Sequence, residues 1–90
     1  MFTMKLESDP KRIMADGRYT VEEFDAMLRQ ICLETRFKEK APGEYYLDDE
    51  EDELGRMIVL TARFDIKHIE PFLKKWLTHS DYEGRVNQLT

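Results

Sequence analysis

The sequence predicts a single α+β domain, and three local patterns carry that expectation. Phe2-Thr3-Met4-Lys5-Leu6-Glu7 alternates apolar and polar side chains, the two-residue period of a half-buried strand. Val21, Phe24, Met27, Leu28 and Ile31 recur at spacings of three and four, the single apolar stripe of an amphipathic helix. Ala41-Pro42-Gly43 is a turn signal between two short runs, 36–40 and 44–47, and suggests a hairpin. Helices and a small antiparallel sheet in segregated layers make an α+β architecture.

In chain order, the first strand spans about 2–7. A short helix near 9–16 follows, with Ser8 or Asp9 as its cap, Pro10 in its first turn, Ile13 and Met14 turned inward and Gly17 as its stop. The second helix, near 20–35, opens on the capping box Thr20-Val21-Glu22-Glu23 and carries the acid-first pair Asp25 and Arg29 on its wet side. Strands 36–40 and 44–47 point Phe37, Tyr45 and Leu47 inward.

The stretch from Asp48 to Phe64 fits two patterns. As a helix near 50–63, acids at its start suit the partial positive charge of the amides there, and Leu54, Met57, Ile58, Thr61 and Ala62 keep helical spacing. As a strand, it would place Ile58, Leu60, Ala62 and Phe64 on one face. The helix is preferred, with Gly55 as its main cost. A fourth helix near 70–79 would start at Glu70-Pro71 and line one side with Phe72, Leu73, Trp76 and Leu77. Residues 80–90 are polar and are expected to fray, so the domain proper is 1–79.

Ninety residues suffice for one domain with a thin core, burying roughly 60–65% of the unfolded surface. The chain is 41% apolar and 37% charged, a composition for a folded domain with a well-solvated surface. The longest apolar run, Met57–Leu60, is far short of the ~20 residues of a membrane span. Neither a leader segment nor a membrane association is expected. A lone Cys32 cannot form an internal disulfide, which points to a reducing, cytoplasmic setting.

Charge is distributed unevenly. Net charge is −5, yet Glu44–Glu53 holds seven carboxylates and no Lys or Arg, leaving 14 bases against 12 acids elsewhere. That balance argues against nucleic-acid binding as a property of the whole chain.

The chemistry-bearing residues are few. Cys32 sits in the amphipathic helix beside Ile31 and Leu33, as an inert thiol would. His68 and His79 lie eleven residues apart without a nucleophile elbow or phosphate loop nearby. Three Cys and His residues in all are too few for structural zinc. Asp48–Glu53 lacks the alternation, the sixth-position Gly and the twelfth-position Glu of a calcium loop. Neither catalysis nor a cofactor or metal is expected.

Three readings of Asp48–Glu53 remain: a solvated helix entry, a contact for a basic protein, or mimicry of nucleic-acid phosphate. Clustered charge raises association rates and selects partners. Tyr46 beside the run offers a rigid apolar body with a polar tip for an interface. The expected function is therefore that of a small cytoplasmic, non-enzymatic accessory or adaptor protein. Its contact residues would be Tyr46, Asp48, Asp49, Glu50, Glu51, Asp52 and Glu53, and its partner an unidentified, basic protein. The alternative is an inhibitor that occupies the nucleic-acid site of a DNA-binding protein. Homodimerisation stays open, because a thin core can leave apolar surface for a second copy.

The segments Glu7-Ser8-Asp9-Pro10-Lys11-Arg12-Ile13, Gly17-Arg18-Tyr19-Thr20-Val21-Glu22-Glu23 and Lys75-Trp76-Leu77 resemble those of small acidic proteins carried on bacterial conjugative and other mobile elements. The resemblance covers about the first forty residues and the region expected as the last helix. It favours helix over strand after residue 50 and implies an accessory role near a transfer or maintenance system. Its motifs are caps and core positions, so it implies no functional residue. The chain departs from that group at Pro71 and in its shorter, less acidic tail.

Overall fold

The computed structural model describes residues 1–48 and 52–89. The elements are β1 (Phe2–Ser8), α1 (Pro10–Asp16), α2 (Val21–Glu34), β2 (Lys38–Ala41), β3 (Glu44–Leu47), α3 (Glu53–Lys67), a short 3-10 turn (Glu70–Phe72), β4 (Leu73–Ser80) and β5 (Gly84–Asn87). The strands form one antiparallel sheet in the order β2-β3-β1-β4-β5. The first four strands thus follow the split β-α-β-β-α-β arrangement, with two helices filling the first crossover and β5 added as an outer hairpin strand.

Local chemistry sets most boundaries. Asp9 caps α1 by accepting from the amides of Lys11 and Arg12, and Gly17 closes it at φ +79°. Thr20 and Glu23 exchange both hydrogen bonds of the capping box that starts α2. That helix ends without glycine: Arg36 takes φ +69°, and the Phe37 amide donates to Cys32 O across the last turn. His68 does the same for α3 at φ +53°, with Ile69 N–H donating to Phe64 O. Side-chain pattern alone does not reveal such non-glycine stops.

One face of the sheet makes the core. Phe2, Met4 and Leu6 of β1, Tyr45 and Leu47 of β3 and Trp76 of β4 point to the same side. Ile13, Phe24, Leu28, Ile31 and Cys32 come down on them from α1 and α2, and Leu60 and Phe64 from α3. Phe64 meets Trp76 edge to face, with ring centroids 5.0 Å apart.

Several expectations are corrected. Residues 53–67 form a helix, which settles the ambiguous stretch, but its buried side is Leu60 and Phe64 rather than Leu54 and Ile58. Met14 faces solvent. There are three α-helices among the described residues instead of about four: the helix expected at 70–79 is a 3-10 turn followed by strand β4. The register irregularity at Glu7/Ser8 explains the misreading. It lets Leu73 and Trp76, three residues apart, face the core together, so the strand imitates helical spacing. Without β4, one long edge of β1 from Thr3 to Ser8 would lack its ladder partner. The tail expected to fray turns back through 81–83, where Ser80 Oγ accepts from the Glu83 amide, and forms β5 against β4.

Candidate functional site

Among the described residues, the two acids at the start of α3, Asp52 and Glu53, do not share a surface with Tyr46. Asp48 lies beside β3 and pairs with Lys38 of the neighbouring strand. Asp52 caps α3, its carboxylate accepting from the Gly55 amide at 3.0 Å, and Glu53 begins the helix. Asp49, Glu50 and Glu51 lie outside the described residues. Tyr46 sits in register with Thr3 on one side and Lys38 on the other, on the sheet face opposite the helices. It therefore looks away from Asp52 and Glu53.

What borders those acids instead is apolar. Leu54, Ile58, Ala62 and Ile66 recur every four residues along the outer side of α3, with Val59 next to them. Leu54 is 68% exposed, Ile58 61% and Ile66 72%, values that leave most of each aliphatic side chain in water. The helix is anchored through its other side by Leu60 and Phe64, and tied to α2 by Arg63 donating to Glu34 at 3.1 Å. A helix apolar on both sides is normally covered on both. Between α3 and the β4–β5 turn runs a groove of about 830 Å³, lined by Phe2, Met57, Ile58, Thr61, Thr78 and Tyr82. Tyr82, 87% exposed, forms its outer lip. This largely apolar strip, with Asp52 and Glu53 at its start and Asp65 and Glu83 along its margin, is the best candidate contact surface among the described residues. Helical spacing at Leu54 and Ile58 was visible in the sequence, but the side they would face was not.

The residues that could have carried catalysis are separated. Cys32 is fully buried in α2, on the core side of the sheet. His79 lies in register with Thr3 and Arg85 on the other side, and His68 closes the far end of α3. No group of three or more His, Cys, Asp or Glu among the described residues is placed to hold a metal ion. No helix among them is long and apolar enough to cross a membrane.

Burial pushes the Cys32 thiol from an ordinary value of 9.0 up to about 12, against a smaller lowering by its hydrogen bond with Tyr45. The Tyr45 hydroxyl is raised as well, mainly by its own burial. The thiolate is the nucleophile, so native Cys32 should alkylate with iodoacetamide at pH 8 about a thousandfold more slowly than in the denatured chain. Mass spectrometry of timed quenches checks this. The same shift removes stability as pH rises from about 9 toward 12, because the unfolded chain ionises first while the native thiol keeps its proton.

Compared with protein-family models, with curated proteins and with solved structures, the chain matches none.

Proposed function

We propose that the chain is a non-enzymatic binding module that docks on another protein through the outer side of α3. The exposure of Leu54, Ile58 and Ile66 on one helix carries this reading. An amphipathic helix laid into an apolar groove is read through anchors spaced by about one turn, which these residues provide. Each aliphatic side chain fully withdrawn from water contributes about 1.5–3 kcal/mol. Asp52 and Glu53 give the entry to that helix a negative margin. The partner that fits has an apolar groove with cations at one end. Charge at the margin speeds encounter, and the aliphatic strip holds the complex.

An accessory role in the cytoplasm, beside a transfer or maintenance system, agrees with the resemblance to mobile-element proteins and with the lone reduced cysteine.

The test is capture of partners by the tagged chain from its native host, against a Leu54→Lys/Ile58→Lys variant. Both positions are exposed, so circular dichroism should show an unchanged fold. The variant is expected to lose more than tenfold of the captured partner, while neutralising Asp48–Glu53 weakens capture chiefly at low salt. Equal capture by wild type and the α3 variant would remove the helix from the account. Displacement of the partner by added duplex DNA would instead favour the alternative, occupation of a DNA-binding site. Sedimentation of the purified chain shows whether a second copy is what covers the strip.

A further inference from the structure

We infer that the open face of the sheet binds single-stranded nucleic acid, laid across the strands. The three helices among the described residues pack on the other side through Ile13, Phe24 and Phe64, and none of them covers this face. Strand register brings one residue from each strand into a single row across it. Lys38 neighbours Tyr46, Tyr46 neighbours Thr3, Thr3 neighbours His79, and His79 neighbours Arg85. Strands lie ~4.8 Å apart, so the row is about 19 Å long, with two rings about 10 Å apart between a cation at each end. A second row follows, with Lys5 between Glu44 and Leu77. A shallow hollow of about 760 Å³ crosses the face over Lys5, Lys40, Leu77, His79 and Arg85, with Glu44 as its one carboxylate.

The charge of this face is opposite to that of the chain. Lys5, Lys38, Lys40, Lys75 and Arg85 stand against Glu7, Glu44 and Asp48, although the chain as a whole carries −5. Lys38 is engaged by Asp48 and Lys75 by Glu7. Lys5, Lys40 and Arg85 have no ion-pair partner among the described residues. Three uncommitted cations on one face call for an anion, and the rings between them select its kind. Tyr and His rings stack on unpaired bases, while flanking cations take the phosphates. An acidic peptide would satisfy the cations and leave the rings idle. A duplex keeps its bases stacked and presents grooves that a flat sheet face does not enter. A lipid surface would ask for apolar side chains to insert, and Leu77 alone is a poor anchor.

The experiment is anisotropy of a fluorescein-labelled, mixed-sequence 12-nucleotide RNA titrated with the full chain. Binding at 50 mM salt is expected, weakening with a log–log salt slope of about −2, from roughly 0.7 per phosphate met by three cations. Tyr46→Leu should weaken binding at least fivefold and Tyr46→Phe should not, since the ring is what stacks. Arg85→Gln should flatten the salt slope by about 0.7. Lys11→Gln, an exposed cation on the helical side, should leave binding unchanged. A single strand of DNA should compete. The inference is overturned by an absence of binding at low salt. It is equally overturned by Tyr46→Leu binding as well as wild type, or by polyglutamate, duplex or anionic vesicles displacing the RNA as readily as unlabelled single strand. None of these outcomes depends on the outer side of α3, so this surface and the protein-docking helix stand or fall separately.

Discussion

Phe64→Ala is expected to lower the unfolding free energy by about 3–5 kcal/mol, the usual cost of deleting a buried aromatic ring. Phe64 is 1% exposed and packs edge to face on Trp76, so the ring joins α3 to the strand next to the centre of the sheet. Only Leu60 is equally buried on that helix, which leaves few contacts to absorb the loss. A 90-residue domain holds roughly 5–13 kcal/mol in total, so one ring is a large share of it. The melting temperature should fall by more than ~12 °C. Urea unfolding checks the prediction: the midpoint should drop while the slope stays constant. Ile58→Ala, on the outer side of the same helix, should change stability by no more than about 0.5 kcal/mol. The reverse ranking would mean that α3 packs through its other side, and the proposed contact surface would be lost with it.

Gly43→Ala is the second large effect, expected to cost at least ~3 kcal/mol. Gly43 sits at φ +78°, where an L side chain costs roughly 1–2 kcal/mol by itself. A Cβ there would also lie 2.6 Å from the carbonyl oxygen of Leu6, backbone of the central strand that cannot withdraw. The Leu6 amide donates to Gly43 O at 2.8 Å, so moving either segment breaks a bond that joins the β2–β3 turn to β1. Gly17 supplies the control. Its φ is +79°, but nothing lies within 4 Å of an added Cβ. Gly17→Ala should therefore cost only about 1 kcal/mol of conformational strain. Chemical denaturation of the two variants side by side separates strain from collision; equal losses would show that the turn is free to move away from β1.

The parts of the fold legible in the sequence were those whose cause is local. The capping box at Thr20 and Glu23, the Asp9 cap, the alternation of Phe2, Met4 and Leu6 and the turn at Gly43 all depend on residues within a few positions of one another. Residues 73–80 defeated the same reading, because two spacings overlap there. Leu73 and Trp76 suit a helix face, and a bulge lets them suit a strand face as well. The choice lies with β1, some seventy residues away, whose amides and carbonyls need a second neighbour. The same distance hid β5, since Val86 alone marks it as apolar and its ladder with β4 supplies the rest.

The site followed a similar division. Composition revealed a concentrated acidic segment and too few reactive groups to suggest a catalytic centre. It could not show that Tyr46 and Asp52 belong to opposite sides of the sheet, nor that Leu54, Ile58 and Ile66 would be left in water. Nor could a total of −5 reveal a face on which Lys5, Lys40 and Arg85 gather, because net charge adds residues that register keeps apart. By itself the sequence determined the caps, the turns and the apolar periods of β1 and α2, which arise from interactions along the chain. Tertiary structure decided which side of each element is covered. Covering is settled between elements distant in sequence, by the fit of side chains such as Phe64 and Trp76 that no local pattern pairs.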